Sequence, residues 1–225
     1  MSTEMTRPAR RGRPAAQLAP ATLEQILGAA LRMFADKGYD GASIAALNRE
    51  LGVSHNLLHQ RFGSKEKLWY ATVDWAFSGI GAQLAPELKD TAGGPLEQTR
   101  RIIRRFVLVH ADQPEVLRLV TVEGVADTPR LAYLYERHVE PMLTALTAPL
   151  RRLIDQGKIA PVPVRTLHFL IAHGASAPFS LLGLARRIGP GDPLAPQAVL
   201  EHADAVADLV LAGLTHRTPP APGTA

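Results

Sequence analysis

Cysteine is absent from all 225 residues, which excludes a disulfide framework, a zinc ribbon, an iron–sulfur site and a cysteine nucleophile. No uninterrupted apolar run approaches ~18 residues, so no membrane span is expected. The opening MSTEMTRPARRGRP is basic but has no apolar stretch after it, and it does not read as a secretory signal. A reducing cytoplasm is the simplest setting for such a chain. The common catalytic signatures are missing too: there is no G-x-S-x-G, no G-x-x-x-x-G-K-[ST], no G-x-G-x-x-G and no H-E-x-x-H. The one glycine-rich run, Gly189-Pro190-Gly191-Asp192-Pro193, is stiffened by proline and reads as a loop, not a phosphate cradle. No enzyme, cofactor or metal site is expected.

The residues that are present describe a folded chain. Hydrophobic residues make up 46% and charged ones 20%, enough apolar material for a core and too much for disorder. The length falls between one large domain and two small ones. Charge is unevenly spread. Residues 1–67 carry ten Lys/Arg against six Asp/Glu, whereas residues 68–225 carry fifteen of each. The excess positive charge therefore lies wholly in the first third, which points to an anionic partner held by one end of the molecule.

No segment alternates with period two, and helical periodicity recurs throughout, so the fold class is all-α. Residues 1–20 read as a disordered basic arm, 21–67 as a compact three-helix unit, 68–216 as a helical body and 217–225 as a loose tail. Thr22 is a plausible N-cap for a first helix that Gly38 stops. Ser43 caps a second helix from Ile44 to Leu51, and Ser54 caps a third from His55 to about Arg61. Ser64 and Lys65 open a long helix to about Leu84. Its Trp69, Val73, Ala76, Phe77, Ile80 and Leu84 share one face. A helix from Pro95 turns Ile102, Ile103, Phe106, Val107 and His110 inward, with Arg100, Arg101, Arg104 and Arg105 mostly toward water. Further helices are expected from Pro114 to about Val125 and from Pro129 to about Gln156, the latter kinked or interrupted by Pro141 and Pro149. Another runs from Val164 to Ile188, bent at Pro178, and the last from Gln197 to Thr215.

The turn Leu51-Gly52-Val53-Ser54 gives the first unit a mechanical purpose. Gly52 can take the left-handed conformation that stops a helix, Val53 can bury in the angle, and Ser54 can restart the chain. The resulting crossing can push the third helix into a DNA major groove. The longer string Phe34-Ala35-Asp36-Lys37-Gly38-Tyr39, Ser43-Ile44, Leu51-Gly52-Val53-Ser54 and Phe62-Gly63-Ser64-Lys65-Glu66-Lys67-Leu68 resembles the N-terminal domain of the TetR family of bacterial regulators. The match runs from about Leu23 to Leu68, in order and with fitting spacing. The resemblance implies a homodimer on double-stranded DNA at a pseudopalindromic operator, usually a repressor, whose C-terminal helices bind a small-molecule effector that releases it.

By that resemblance Ser43, Ser54, His55, Asn56, Leu57, His59, Gln60, Arg61 and Lys65 are the DNA-binding candidates, with Lys65 where the family's matching lysine holds a phosphate. Asn and Gln suit adenine and Arg suits guanine, while Leu57 could meet a thymine methyl or pack inward. Several residues depart from the family pattern. His59 stands in place of the usual tyrosine, Leu57 in place of a small or hydroxylated residue, Asn56 in place of glycine, and Asn48 where an alanine normally packs. His55 and His59 share the i, i+4 spacing of metal ligands, but no third ligand is near. In the body, Trp75, Phe77, Phe106, His110, Tyr133, Phe169 and His173 are candidates for a mainly apolar ligand pocket. Aromatic residues at helical spacing equally serve as core. Dimerisation is expected on the last two helices, through Leu167, Leu170, Ile171 and the Val199–Leu214 stripe. Arg11-Gly12-Arg13-Pro14 resembles the core of an AT-hook, a peptide that lies in the minor groove of A·T-rich DNA. Two other classes stay open at this point: an all-α enzyme or carrier with a vestigial DNA domain, and a sequence-tolerant architectural DNA protein.

Overall fold

The computed structural model of the protein describes residues 21–54 and 56–216, which form helices joined by short connections, with no strand among the described residues. α1 (Leu23–Gly41) starts in a full capping box. The Thr22 hydroxyl accepts from the Gln25 amide, and the Gln25 side chain accepts from the Thr22 amide. Helical geometry breaks at Gly38, whose φ of +66° is left-handed, so the expected stop is in place although one more turn follows it. α2 (Ile44–Glu50) begins under the Ser43 hydroxyl, which accepts from the Ala46 amide. It ends in a Schellman closure: Gly52, at φ +63°, donates to the Arg49 carbonyl at 3.2 Å, and Val53 donates to the Asn48 carbonyl at 3.0 Å.

α3 (Leu57–Phe62) starts two residues later than the sequence pattern places it, and Asn56, not Ser54, precedes it. Closure of the Schellman turn uses Val53, and the chain needs further residues to change direction before helical bonding resumes. Ser54 takes part through its carbonyl, which accepts from the Leu57 amide at 3.0 Å. Ser64 then caps α4 (Lys65–Lys89), which extends beyond Leu84 with Pro86 in its last turn. Trp69, Val73, Ala76, Phe77, Ile80 and Leu84 are all buried, as their shared face requires.

α5 (Gly94–Asp112), α6 (Pro114–Glu123), α7 (Pro129–Leu134) and α8 (Glu140–Asp155) build the body, followed by α9 (Val164–His168), α10 (Ala177–Ser180), α11 (Leu182–Ile188) and α12 (Pro196–Thr215). A π turn over Tyr135–Val139 joins α7 to α8 without a break. The wider turn lies directly before Pro141, whose ring would clash in regular helix and whose missing N–H removes one bond. Pro149 does not interrupt α8. It is buried there, and packing against α5 holds the helix through it. A second π turn, Phe169–Ala175, follows α9. The single helix expected from Val164 to Ile188 is thus divided, with Pro178 in the first turn of α10.

The arginines of α5 do not mostly face water. Arg100 and Arg104 pair with Asp208 and Asp204 of α12, matching one i, i+4 ladder to another, with Arg104 Nε 2.7 Å from Asp204 Oδ1. Arg101 donates to the carbonyls of Asp90 and Ala92 at 2.9 and 3.0 Å, and Arg105 to that of Gln83 at 3.1 Å, tying α5 to the end of α4. Gln98, 2% exposed, donates to the carbonyls of Glu87 and Leu88 and accepts from Arg152 of α8. One hydrophobic core runs from α1–α3 into α4–α8, through Phe34, Leu47, Leu58, Trp69, Phe106 and Leu134.

These two kinds of polar contact should differ in worth. Gln98→Leu leaves the part-buried carbonyls of Glu87 and Leu88 without their donor and should cost about 1–3 kcal/mol. Asp204→Ala breaks a half-exposed pair and should cost at most about 1 kcal/mol. Urea unfolding of both variants checks the order.

Candidate DNA interface and effector cavity

Leu58, 1% exposed, anchors α3 in the core, and Leu57 is half-buried against it. That leaves Asn56, His59, Gln60 and Arg61 exposed, with Ser43 and Ser54 also on the surface. Apart from the two leucines, these side chains form a polar, acceptor- and donor-bearing surface able to meet base edges and phosphates. Asn48 is buried on α2, 2% exposed. His55 and the arm Arg11, Gly12, Arg13 and Pro14 lie outside the described residues.

Lys65 Nζ donates to the Asp40 carbonyl at 3.4 Å and lies 4.5 Å from the centre of the Tyr39 ring. The Arg130 guanidinium, from α7, also lies over that ring at 3.9 Å. Arg130 in turn pairs at 3.1 Å with Glu123, a nearly buried carboxylate at the end of α6, which also accepts from Thr128 at 2.6 Å. Thr128 caps α7 with the same hydroxyl. A continuous polar chain therefore joins the α6–α7 corner to Tyr39 and Lys65. No local pattern in the sequence could have revealed it, because Tyr39, Lys65, Glu123 and Arg130 meet only through the fold.

A second cluster lies on α4. Asp74 Oδ1 accepts from the Tyr133 hydroxyl at 2.8 Å and from His138 Nε2–H at 2.7 Å. Arg137 adds a longer contact at 3.6 Å. The π turn brings Tyr133 and His138, five residues apart, onto one carboxylate. Burial, and next the hydrogen bond to Asp74, push the Tyr133 hydroxyl above its usual range.

Three cavities open side by side in the body. The largest, about 660 Å³, lies among α6, α7, the first π turn and α9, and Phe169 and His173 line it. Deeper in the body are spaces of about 60 and 40 Å³ between α5 and α8, lined by Phe106 and, in the smaller, by Phe77 and His110. His168 and Leu143 border all three and mark their junction. Trp75 and Tyr133 lie elsewhere. Trp75 faces Gly28 of α1, and Tyr133 packs on the Tyr70 ring with centroids 4.5 Å apart.

His110 is 3% exposed, and its Nδ1–H donates to the Phe106 carbonyl at 2.8 Å. Burial lowers its pKa from 6.5 to about 4. The Phe106 hydrogen bond opposes that shift, and the nearby His173 adds slightly to it. Burial also lowers His168 and His173, the former with help from the latter's charge. The inner wall is therefore neutral near pH 7, and His110 keeps Nε2 as a lone acceptor.

Family models match along most of the chain. The model for bacterial regulatory proteins of the tetR family matches residues 26–71, and that for a tetracyclin repressor-like C-terminal domain matches residues 95–210. The HTH-type transcriptional regulator RutR of Escherichia coli (strain K12) is 30% identical over 146 residues, 65% of this chain and 68% of its own. The structure of the TetR family transcriptional regulator PfmR from Thermus thermophilus is 27% identical, covering 87% of this chain and 98% of its own at a TM-score of 0.59. That of AibR in complex with isovaleryl coenzyme A and operator DNA is 20% identical, covering 84% and 96% at a TM-score of 0.58.

Because unfolded histidine takes up its proton near pH 6.5 while folded His110 resists until about 4, His110 costs no stability above that window and drains it as pH falls through it. His110→Phe should flatten the dependence of unfolding free energy on pH by up to about 1.4 kcal/mol per pH unit between roughly pH 6 and 4.5. Denaturant titrations at several pH values measure this slope.

Proposed function

This chain belongs to the TetR family of bacterial transcriptional regulators, and from that premise we propose that it is a cytoplasmic homodimeric repressor, released from a pseudopalindromic operator by a small, mainly apolar effector. The observation that carries the release mechanism is the position of α6. Val120 and Thr121 of this helix line the large cavity, and Val116 and Leu117 line an inner one. On its other side Arg118 pairs with Asp36 of α1 at 3.5 Å, and Val122 lies so close to Gly38 that a Cβ there would sit 3.2 Å away. A molecule that fills the cavity pushes on the wall against which the DNA-binding unit rests. The AibR complex holds isovaleryl coenzyme A and operator DNA on the same fold, which supports this pairing of roles.

In this reading α3 enters the major groove, with Asn56, His59, Gln60 and Arg61 toward the DNA. Lys65 exchanges the Asp40 carbonyl for a phosphate oxygen. The arm, through Arg11-Gly12-Arg13-Pro14, follows the flanking minor groove. Two copies meet through apolar side chains of the last helices. Leu167 and Leu214 are already taken up by the chain's own core, whereas Leu170, Leu184, Ile188 and Leu209 are exposed and offer the association surface. Release requires the effector to prefer the subunit separation that does not fit the operator, since equal affinity for both shifts nothing.

DNA selected from a random pool should carry inverted half-sites about one helical turn apart. On such an operator Lys65→Ala should weaken binding to all sequences alike and lower the salt slope by about one unit, whereas Gln60 or Arg61 substitutions should change base preference. Fluorescence anisotropy across salt concentrations reads both. Selection of sites without inverted repeats, by a monomer in solution, would contradict the proposal.

A further inference from the structure

The largest cavity has a charge asymmetry that apolar filling alone does not use. Arg165, on α9, lines it and is exposed, and no ion-pair or hydrogen-bond partner holds its guanidinium among the described residues. Among those residues, no Asp or Glu lines the cavity. His168 lies three residues further along α9, on the same face, and Tyr135 contributes a half-exposed phenol from the first π turn. These are an unpaired cation and a phenol on the rim, with an imidazole further in, where the inner spaces begin.

The wall opposite and beneath is apolar, with Leu131, Leu134, Val139 and Leu143 in the large cavity. Past His168 and Leu143 lie the inner spaces, bordered by Ile102, Ile103 and Phe106. Polarity therefore falls from the rim inward. His173 does not reverse this gradient. Thr121 Oγ1 donates to the Leu117 carbonyl at 2.7 Å and so receives the Nδ1–H of His173 at 3.3 Å.

We propose that the effector is an apolar monocarboxylate, its carboxylate on Arg165 at the rim and its hydrocarbon directed past Leu143 toward Phe106. The inference rests on the effector reading of the cavity given above. An acceptor-only, singly charged head suits Arg165, since guanidinium meets carboxylate through paired N–H donors that an alcohol cannot fully use. A single carboxylate balances the single permanent cation in the described lining. A head with several phosphates would bring charge that this lining does not match.

Isothermal titration of the full-length protein with decanoate, decan-1-ol and decanoyl-coenzyme A tests this without DNA. Decanoate should bind tightest, and Arg165→Gln should weaken it by roughly tenfold or more while leaving decanol within about twofold. Arg165→Lys should keep part of the preference for the acid. Because Arg165 is exposed and unpartnered, the melting temperature of the ligand-free variants should match that of the parent protein. Equal affinity for acid and alcohol, no loss in Arg165→Gln, or tighter binding of the coenzyme A thioester would each overturn the proposal. Decanoate that binds through Arg165 yet leaves operator affinity unchanged would uphold this chemistry and instead refute the effector role.

Discussion

α1 and α6 lie side by side in one hydrophobic core that includes Leu31 and Phe34 from one helix and Val116 and Leu119 from the other. Their contact sets what the rest of the molecule can do. It places the DNA-reading unit on the body through buried apolar surface, where well-packed side chains have discrete arrangements and transmit displacement. Gly38 sharpens this constraint. Its left-handed backbone lets the chain turn away just where Val122 of α6 approaches, so a side chain there would meet both backbone strain and a crowded neighbour. The helix-turn-helix cannot settle independently of the body, because Leu47 and Leu58 belong to the same core as Trp69 and Phe106.

Polar contacts around this apolar seam have a different task. Glu123 is nearly buried, and Arg130 and Thr128 satisfy it; such pairs fix geometry more reliably than they add stability. Arg130 extends that geometry to the Tyr39 ring, which Lys65 also approaches. Further along α4, Asp74 gathers Tyr133 and His138. α4 is thus held at its start by the α6–α7 corner and near its middle by the α7–α8 junction. Both sets of contacts come from elements that also border the large cavity.

What the sequence made legible was local. Thr22, Ser43 and Ser64 cap helices, as their hydroxyls and the residues after them require, and Gly52 takes the left-handed conformation that stops α2. The buried face of α4 follows from spacing alone. The start of α3 was misplaced because a serine after a glycine turn looks like a cap, and only the bonds of the Schellman closure show that Val53 is still engaged behind it. Spacing alone turns the arginines of α5 toward solvent, because the partners of Arg100 and Arg104 on α12 are about a hundred residues distant and those of Arg101 and Arg105 are backbone carbonyls near the end of α4. In the body, Phe106 and His110 border the inner spaces as a helical face predicts. Arg165 and Tyr135, by contrast, look like ordinary surface residues until two π turns and the packing of α9 set them on one rim. Periodicity assumes regular helix, and it fails where Pro141 imposes a wider turn.

The weakness of the polar seam has a consequence for how much an effector must do. Arg118–Asp36 is a partly exposed pair, worth about 0–1 kcal/mol, and the contact of Lys65 with the Asp40 carbonyl is long. Shifting α6 relative to α1 therefore sacrifices few strong interactions, provided the apolar side chains find a second arrangement. Coupling between sites in such proteins is typically about 1–3 kcal/mol, a scale that two or three contacts of this strength can supply or withhold. A rigid, fully buried polar seam would demand more from the ligand than cavity filling provides, and a seam without polar contacts would leave the two arrangements poorly distinguished. The observed mixture, an apolar contact that carries stability and a marginal polar fringe that registers position, suits the proposed displacement of α6 under a modest load.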